Sequence, residues 1–570
     1  MPQPPVSPPE LILLNARIIA RPPSTERAEA VAIAGGRFTA VGTTAEIAGA
    51  GRSLAGAGQS LAGAGRSLAG AGRSPRPTGE GPRILDLGGR TVIPGLIDSH
   101  LHPVAAGRVL GDVDLYDAGS IDEVLARLSE RAARTRRDCP VVGRAACLDE
   151  DALAEGRLPT AADLDRVATN RPVIITDVNK TIVNTAVLRR MSLGPTTPDP
   201  RGGRIGRDAR TGEPDGIFLY AAKRITPVPG QSSSGEELPA DEALRRSLAA
   251  CARAGLTGVV DASAGLDAIR AWQAAQRRGE LPLRATIMPA IALLEKPGDL
   301  DALGVAYGAR EGHLTIGPLK IFFDLFIMHK SALMRDAYEG DPENRGMATM
   351  SVAVLRRHME RAAARRWPVA VHTTGDQGID LVSEALAESL AKSGPMSGPC
   401  HLIHAYFPGE RALARLQEWD VGVAAQPPFV AAWGASLPKL VGPARAERFL
   451  PLETLRRLGL RLGGGSDSPI IPFDPFFGIY AAVTRRTGAG SILGKAERVS
   501  REWALFLYTL GSASLLNEGD SRGSIEPGKL ADLVVLDRDI LAIPEEEIPR
   551  VRAVLTMVGG EIAYRSDDLG

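Results

Sequence analysis

The sequence is short of every feature that marks a secreted, membrane-spanning or nucleic-acid-binding protein. Only four cysteines occur in 570 residues, namely Cys139, Cys147, Cys251 and Cys400, and no two of them form a CxxC pair, which is typical of a reducing compartment. Lys plus Arg and Asp plus Glu number 67 each, so no excess charge favours nucleic acid or an anionic membrane as a partner. No apolar run is long enough to span a bilayer, and the start of the chain lacks the pattern of a signal peptide. We therefore expect a cytoplasmic protein.

The composition is that of a globular protein with one unusual segment. Hydrophobic residues make up 44% of the chain and charged residues 24%, and the length predicts more than one domain. Residues 48–75 repeat a seven-residue unit, Ala-Gly-Ala-Gly-Arg-Ser-Leu, in which Gln59 once replaces the arginine. So much glycine and so little bulky apolar surface cannot offset the entropy of ordering, so we expect a flexible surface insertion.

Both ends of the chain carry strand patterns. Short apolar runs fill residues 11–42, and Gly35-Gly36 between two of them indicates a hairpin. Similar runs cover residues 531–536 and 551–558, and Gly559-Gly560 then turns into a last one. We predict one small flanking β-sandwich domain, built from residues 1–90 and 516–570.

Residues 91–515 alternate helical patterns with eight short apolar runs. Continuous apolar runs are typical of parallel strands buried on both faces, and eight of them alternating with helices predict the α/β class and a (β/α)8 TIM barrel. The connection after the first run is too long for one helix, so residues from about 110 to 245 are predicted to add an inserted α/β subdomain, with a long loop over 193–216. The runs cover residues 91–97, 258–261, 283–288, 319–324, 369–372, 402–405, 421–426 and 460–467.

His100 and His102 directly follow the first run. Residues i and i+2 of an extended chain point to one face, so both imidazoles can bind one divalent metal ion. The alternative is a solvated pair of histidines in a turn. Because metal ligands come in sets, the metal hypothesis requires further ligands at other strand ends.

Three further candidates lie where later runs end. His372 and His404 follow the fifth and sixth runs, and Asp467 follows Gly463-Gly464-Gly465-Ser466 on the eighth. Glycine lets the backbone approach a centre closely. The Asp467 carboxylate can bind metal, accept a proton from metal-bound water, or hold an Asx turn.

The remaining histidines are weaker candidates. His401 lies three residues before His404 and would face the opposite way on an extended strand. His358 falls in a helical pattern and is predicted to be a surface group, and His313 is predicted in a loop.

Lys320 lies inside the apolar fourth run. A buried charged lysine is costly unless it is paired or neutralised. One solution is reaction with CO₂ to give a carbamate whose two oxygens bridge metal ions, and the other is a salt bridge to Asp324 or another acid. The residues alone leave both open.

This order of residues resembles the metal-dependent amidohydrolase superfamily, in its amidohydrolase family 3 (YtcJ-like) branch, which includes the N-substituted formamide deformylases. The resemblance covers nearly the whole chain except the repeat and the proline-rich start. It is carried by residues 92–103, by His372-Thr373-Thr374-Gly375-Asp376, by Ile403-His404-Ala405, by 465–469 with 474–485, by 523–536, and by 159–165, 202–205 and 212–216 in the insertion.

The resemblance implies a homodimeric hydrolase of a C–N amide-type bond, in an N-acyl or N-formyl amine. It implies one or two Zn²⁺ ions, with Mn²⁺ or Fe²⁺ as alternatives, at the carboxyl ends of the barrel strands. Hydroxide generated on the metal would attack the carbonyl, and Asp467 would act as general base and then acid. The implied ligands are His100, His102, His372, His404, Asp467 and carboxylated Lys320, and Asp467 and Lys320 are the catalytic residues.

Departures from the family pattern concern the substrate. Asn179 stands where a histidine is usual, residues 325–330 are bulkier and more apolar than the usual segment, and a tryptophan is missing near residues 143–146. All three departures lie where substrate contacts are expected, and six residues are predicted to contact the substrate. These are Asn179, Asp324, His329, Lys330, Asp376 and Gln426.

Two alternatives remain open at the sequence level. The same site could hydrolyse a cyclic amide, a deaminable C–NH₂ group or an ester, and a chain without catalytic activity could use the barrel to bind a ligand. Substrate screening separates the first alternative, and metal analysis of the purified protein separates the second.

Overall fold

The computed structural model describes residues 8–54, 81–145, 148, 150, 153–200, 203–226, 238–295 and 304–569. Among these residues, the middle of the chain contains a series of eight parallel strands. These strands are β1 (Leu96–Leu101), β2 (Leu256–Ala264), β3 (Arg284–Pro289), β4 (Leu319–Phe322), β5 (Val369–Thr373), β6 (His401–His404), β7 (Gly422–Ala425) and β8 (Leu462–Gly464).

The eight strands lie in two sheets and follow one another in chain order. The first sheet holds β1, β2 and β3, extended by Leu314–Ile316 and Arg310–Glu311, and the second holds β4 to β8. A parallel bridge between Ala290 and Lys320 joins the end of β3 to β4. At the other junction, the Asp467 amide, just after β8, donates to the His100 carbonyl on β1 at 2.7 Å. The mixed α/β class predicted from the sequence is thereby confirmed.

These strands are buried on both faces, which explains their apolar sequences. Every residue of β5, β6, β7 and β8 is buried. One apolar cluster takes a residue from each of six strands together with residues of the segment 513–516. The six are Ile97, Val260, Met288, Ala370, Ile403 and Ala424.

The helices follow local sequence signals. Ile121–Arg134 begins after Ser120, whose side chain accepts from the Glu123 amide, and its last turn carries Arg131 and Arg134, which suit the helix dipole. The α-helices are Thr44–Leu54, Pro103–Val109, Ile121–Arg134, Ala161–Asp165, Thr185–Met191, Ala240–Arg253, Leu266–Arg277, Val352–Ala364, Asp376–Ser393, Glu410–Glu418, Pro428–Trp433, Leu437–Val441, Pro443–Ala446, Leu452–Arg457, Pro475–Thr484, Arg501–Phe506 and Ser512–Leu515.

Strands from the two ends of the chain pair in one six-stranded sheet. Leu533–Leu536 lies antiparallel to Thr91–Pro94, the strand that leads into β1. The order across this sheet is Glu561–Arg565, Ala553–Val558, Leu533–Leu536, Thr91–Pro94, Arg17–Ile19 and Arg27–Ala28. A second sheet has the order Arg37–Gly42, Ala30–Ala34, Leu11–Leu14 and Arg83–Asp86, and its first two strands form the hairpin predicted at Gly35-Gly36.

The insertion between β1 and β2 forms a six-stranded sheet, and here one prediction was wrong. Two antiparallel strands occupy part of the predicted 193–216 loop, because Ile205 and Phe218 pair across them and are buried. The turn that joins these two strands covers residues 208–213. The order across the sheet is Gly203–Arg207, Pro214–Tyr220, Lys180–Val183, Val173–Thr176, Val141–Arg144 and Val113–Asp114.

The start of the Gly-Ala repeat also differs from expectation. Residues 48–54 continue the helix Thr44–Leu54, for which the Thr43 hydroxyl and the Glu46 carboxylate exchange hydrogen bonds with each other's backbone amides at the helix start. These capping hydrogen bonds help to nucleate the helix, which the repeat alone would not do because of its low helix propensity. Residues 55–75 of the predicted flexible insertion lie outside the described residues.

His358 was predicted on a surface, and this was wrong. It is 8% exposed, on the helix face that also buries Leu355 and Met359. This helix packs beside Asp376–Ser393, which covers that face. Among the helices of the described residues, none is both long enough and apolar enough to cross a membrane.

Candidate metal centre

Three side chains from the two ends of the strand series converge on one point. The Asp467 Oδ1 atom lies 3.3 Å from His100 Nε2 and 3.2 Å from His102 Nε2. One donor atom from each of the three lies within 4.8 Å of the others. His100 and Asp467 are buried, and the His102 side chain is 30% exposed, so the cluster has an open side. The predicted first pair and the predicted carboxylate are therefore brought together.

Two more predicted histidines adjoin this cluster. The His404 ring centroid lies 5.3 Å from that of His100 and 4.5 Å from that of His372. The Gln426 side-chain oxygen lies 2.6 Å from His404 Nδ1, so a proton on Nδ1 leaves the Nε2 lone pair available as a ligand. Gln426, predicted to contact substrate, is fully buried and orients His404 instead.

Electrostatics keep the buried imidazoles of His100 and His404 neutral and the Asp467 carboxylate charged. Burial, followed by the charge of Lys320, holds the pKa of His100 well below its ordinary value, and burial lowers that of His404 to about 4. Burial raises the pKa of Asp467, but hydrogen bonds from His100 and His102 outweigh it, so the net shift is well below the ordinary value. Neutral imidazoles and an ionised carboxylate are the forms that ligate a divalent metal.

Close backbone approach brings Asp467 to the histidines. A Cβ on Gly465 would lie 2.8 Å from the His100 amide nitrogen, so only glycine fits there. His404 and Asp467 themselves have φ of 76° and 58°, in the left-handed region that costs non-glycine residues free energy. This confirms the predicted role of the glycines. It also explains why simple strand alternation does not govern where His404 points.

Asp98 ties β1 to the segment after β8, and sequence reasoning missed it. Its carboxylate accepts from the His100 amide at 3.0 Å, the Ser466 amide at 3.1 Å and the Ser466 hydroxyl at 2.6 Å. It thereby fixes the backbone on both sides of the metal ligands. The available signal was an acidic residue inside an otherwise apolar strand.

Replacing Asp98 by alanine is expected to cost about 3 kcal/mol of unfolding free energy, because three buried donors lose their acceptor. The isosteric Asp98→Asn variant should retain the fold. Burial raises the Asp98 pKa from 3.8 to about 7, so between these values the folded metal-free protein binds the extra proton and loses stability as pH rises. Denaturant unfolding from pH 4 to 8 should show Asp98→Asn gaining on the wild type up to about pH 7 and then levelling off. A constant difference would contradict this.

Lys320 is buried near the centre without a hydrogen-bond partner in the described part of the chain. It is 1% exposed, and its Nζ atom lies 4.6 Å from the Phe322 ring centroid. Burial lowers its pKa to about 7, against the attraction of Asp467. The alternative partner, Asp324, instead accepts from the backbone amides of Thr374, Gly375 and Leu333 at 2.9–3.1 Å.

The other predicted substrate residues lie in varied positions. The Asn179 side-chain oxygen is buried without a partner among the described residues. His329 Nε2 lies 2.6 Å from the Val178 carbonyl, and Lys330 donates to the Glu339 carbonyl. Asp376 begins the helix after β5 and accepts from the Arg335 amide.

An aromatic wall, defined as Phe322 and Phe326, lies beside the centre and was not predicted as such. Their ring centroids lie 5.2 Å and 5.7 Å from that of His372. Phe322 is 39% exposed, which is unusual for a phenylalanine at a strand end. Since Phe322 is partly exposed, this wall offers apolar contact to a molecule bound beside His372.

The side chains present fit a divalent metal. Four imidazoles and one carboxylate form a nitrogen and oxygen donor set typical of zinc. His100 Nδ1 and His372 Nε2 are buried and have no hydrogen-bond partner among the described residues. Buried imidazole nitrogens of this kind are costly in an apolar setting and suited to ligation.

Comparisons with known proteins identify a family to which this sequence is similar. The profile of the amidohydrolase family matches residues 83–564. The putative amidohydrolase YtcJ of Bacillus subtilis (strain 168) is 30% identical over 495 residues, covering 84% of this chain and 90% of that protein. The N-substituted formamide deformylase of Arthrobacter pascens is 27% identical over 565 residues, covering 97% and 98%. The crystal structure of an uncharacterized metal-dependent hydrolase from Pyrococcus horikoshii OT3 superposes with a TM-score of 0.67 at 25% identity, covering 94% and 99%.

Proposed function

The chain belongs to the amidohydrolase family and is a metal-dependent hydrolase acting on C–N bonds, and we propose that its substrate is an N-acyl or N-formyl amine. The observation that carries the proposal is the convergence of His100, His102 and Asp467 donor atoms within 4.8 Å. The likeness to a deformylase over nearly the whole of both chains supports the amide class.

The proposed architecture is a (β/α)8 barrel over residues 91–515. Six strands contribute to one apolar cluster, which is what a sheet curved around an interior produces. The Ala290–Lys320 bridge and the Asp467–His100 hydrogen bond lie at the two junctions that would close the ring. We include the insertion over about 110–245 and the flanking β-sandwich from residues 1–90 and 516–570 in the proposal.

The proposed ligands of one or two Zn²⁺ ions are His100, His102, His372, His404 and Asp467, with carboxylated Lys320 if two ions bind. A bound zinc ion lowers the pKa of its water to about 7 and polarises the substrate carbonyl. Asp467 takes a proton from the attacking water and returns it to the leaving nitrogen. Gln426 holds the His404 ring, and Asp98 holds the backbone of His100. A homodimeric state and a cytoplasmic location stay predictions.

The test is a substrate panel with the metal content measured in the same preparation. We expect stoichiometric zinc and release of amine from N-formyl and N-acyl amines. Matched cyclic amides, esters and aminated heterocycles test the alternative bonds at the same centre. Metal-loaded protein that cleaves only one of those, or none of the panel, would overturn the proposed substrate class.

Phe322→Ala is expected to raise KM about tenfold for amides with an apolar N-substituent, with little change in kcat. The reason is that the exposed ring buries apolar area only when such a group binds beside it. Steady-state kinetics on N-formyl amines with apolar and polar substituents measure the effect. Ile492→Ala is the matched control, since Ile492 is an apolar side chain of similar exposure, 40%, and is not among the candidate site residues. An equal KM change for polar and apolar substrates would show that the aromatic wall sets no preference.

A further inference from the structure

His401 is a fully buried imidazole near the centre that the proposed mechanism leaves unused. It is 0% exposed at the start of β6, and neither ring nitrogen has a hydrogen-bond partner among the described residues. Leaving a buried donor or acceptor unsatisfied costs about 1–3 kcal/mol. An imidazole in this position therefore implies a polar neighbour that uses it in the working enzyme.

Strand register places His401 beside Lys320. Lys320 on β4 pairs with Ala370 on β5, and Ala370 pairs with His401 on β6. Neighbouring strands lie about 4.8 Å apart, and paired residues project to one face of the sheet. The side chains of Lys320 and His401 therefore lie on the same face, on either side of the Ala370 methyl group. Gly422 is the partner of His401 on β7 and adds no side chain to this row.

The row Lys320–Ala370–His401–Gly422 thus alternates large polar and small residues. Its two polar members are both buried and both without a hydrogen-bond partner in the described chain. After burial, the charge of Lys320 is what lowers the pKa of His401, to about 3, which agrees with their proximity. The imidazole is accordingly neutral, with one N–H donor and one lone-pair acceptor.

Carboxylation of Lys320 changes the hydrogen-bonding requirement of its Nζ atom. The lone pair of neutral Nζ attacks the carbon of dissolved CO₂, a C–N bond forms, and one C=O electron pair moves onto oxygen. One Nζ proton leaves to solvent water. The product, –NH–COO⁻, keeps two oxygens for metal ions and a single N–H that requires an acceptor.

We propose that His401 is the acceptor of that remaining N–H and is therefore a positioning residue for carboxylated Lys320. The inference rests on the proposed function, which includes the carbamate. It assigns a role to the histidine that strand alternation alone had ranked behind His404. A hydrogen bond from the carbamate N–H to His401 fixes the plane of the carbamate, so that its oxygens face the histidine cluster.

The experiment measures the carbamate directly. Wild type and variants are reconstituted with zinc and ¹³C-labelled bicarbonate, and the carbamate ¹³C resonance and zinc per chain are quantified. His401→Phe keeps a ring but offers no acceptor, and we expect at least a tenfold loss of the carbamate signal and a fall in zinc per chain. His401→Gln keeps an acceptor oxygen and should retain most of both. His358→Phe, a buried histidine on the helix Val352–Ala364, is the matched control and should resemble the wild type.

The outcomes separate this inference from the proposed function. No carbamate in the wild type refutes carboxylation, and the role of His401 with it, while amide hydrolysis is judged by the substrate panel. A wild-type carbamate that His401→Phe leaves unchanged overturns the role of His401 alone. If His401→Phe does not fold, ¹⁵N-histidine spectra of folded wild type with and without bicarbonate decide. A shift of the His401 ring resonance supports the contact, and its absence overturns it.

Discussion

Asp467→Asn is expected to lower kcat by about 10²–10⁴ while zinc stays bound, because proton transfer by a positioned side chain contributes that factor. Asparagine has the shape of aspartate and keeps an oxygen that can face His100 Nε2 and His102 Nε2, which lie 3.3 Å and 3.2 Å from Oδ1. What it lacks is the negative charge and the capacity to take a proton. The expected signature is therefore a loss in kcat that exceeds any change in KM.

The measurement is zinc per chain together with kcat and KM on the best substrate of the panel. Asp420→Asn is the matched control, since Asp420 is an exposed partner of Arg461 far from the cluster in the fold. Near-normal turnover in zinc-loaded Asp467→Asn would remove Asp467 from the role of general base. Loss of zinc in that variant would instead assign it chiefly to ligation.

The proposed ligand set was accessible to sequence reasoning because the carboxyl ends of parallel strands meet at one edge. His100, His372 and His404 each follow an apolar run, and the strands β1, β5 and β6 bring their rings within 4.5–5.3 Å of a neighbour. Gly465 could be interpreted in advance for the same reason, since close approach of two strand ends excludes a side chain. Periodicity and glycine placement are local signals, and they suffice where the topology is regular.

The supporting contacts were not accessible in this way. Asp98 and Ser466 are 368 residues apart, and their 2.6 Å hydrogen bond depends on β8 returning to β1. Gln426, which follows β7, was predicted to contact the substrate, and only the three-dimensional packing shows its hydrogen bond with His404. His358 was wrongly predicted on the surface because the sequence alone does not show which helix packs against its face.

Substrate recognition is the part that the sequence constrains least. Asn179, on the inserted subdomain, and residues 325–330, which follow β4, depart from the family pattern, and their relation to the centre rests on long-range packing. The segment at Val178 reaches the centre through His329, which contacts Phe326, whose ring lies 5.7 Å from His372. The candidate substrate contacts thus come from elements that are distant along the chain.

His102→Ala is expected to release metal and reduce activity by well over about 100-fold. Removing only a residue that holds a metal ligand in place can already cost about 100-fold, so removing a ligand should cost more. His102 is the ligand best suited to this test because its side chain is 30% exposed, so truncation leaves little buried cavity and the fold should persist. Metal at a free concentration of 1,000 times its Kd stabilises the folded state by about 4 kcal/mol. The wild type should therefore lose thermal stability when a chelator is added, whereas His102→Ala should start at the lower Tm and stay there.

The decisive comparison is the chelator response of the two proteins, measured by thermal unfolding alongside zinc per chain. His313→Ala is the matched control, because His313 lies outside the cluster and contacts the Leu281 carbonyl, so its response should equal that of the wild type. A His102→Ala protein that holds full zinc and responds to chelator would place the metal on other side chains. An equally low, chelator-insensitive Tm in both proteins would argue against any structural metal, and with it against the convergence of His100, His102 and Asp467 as a metal centre.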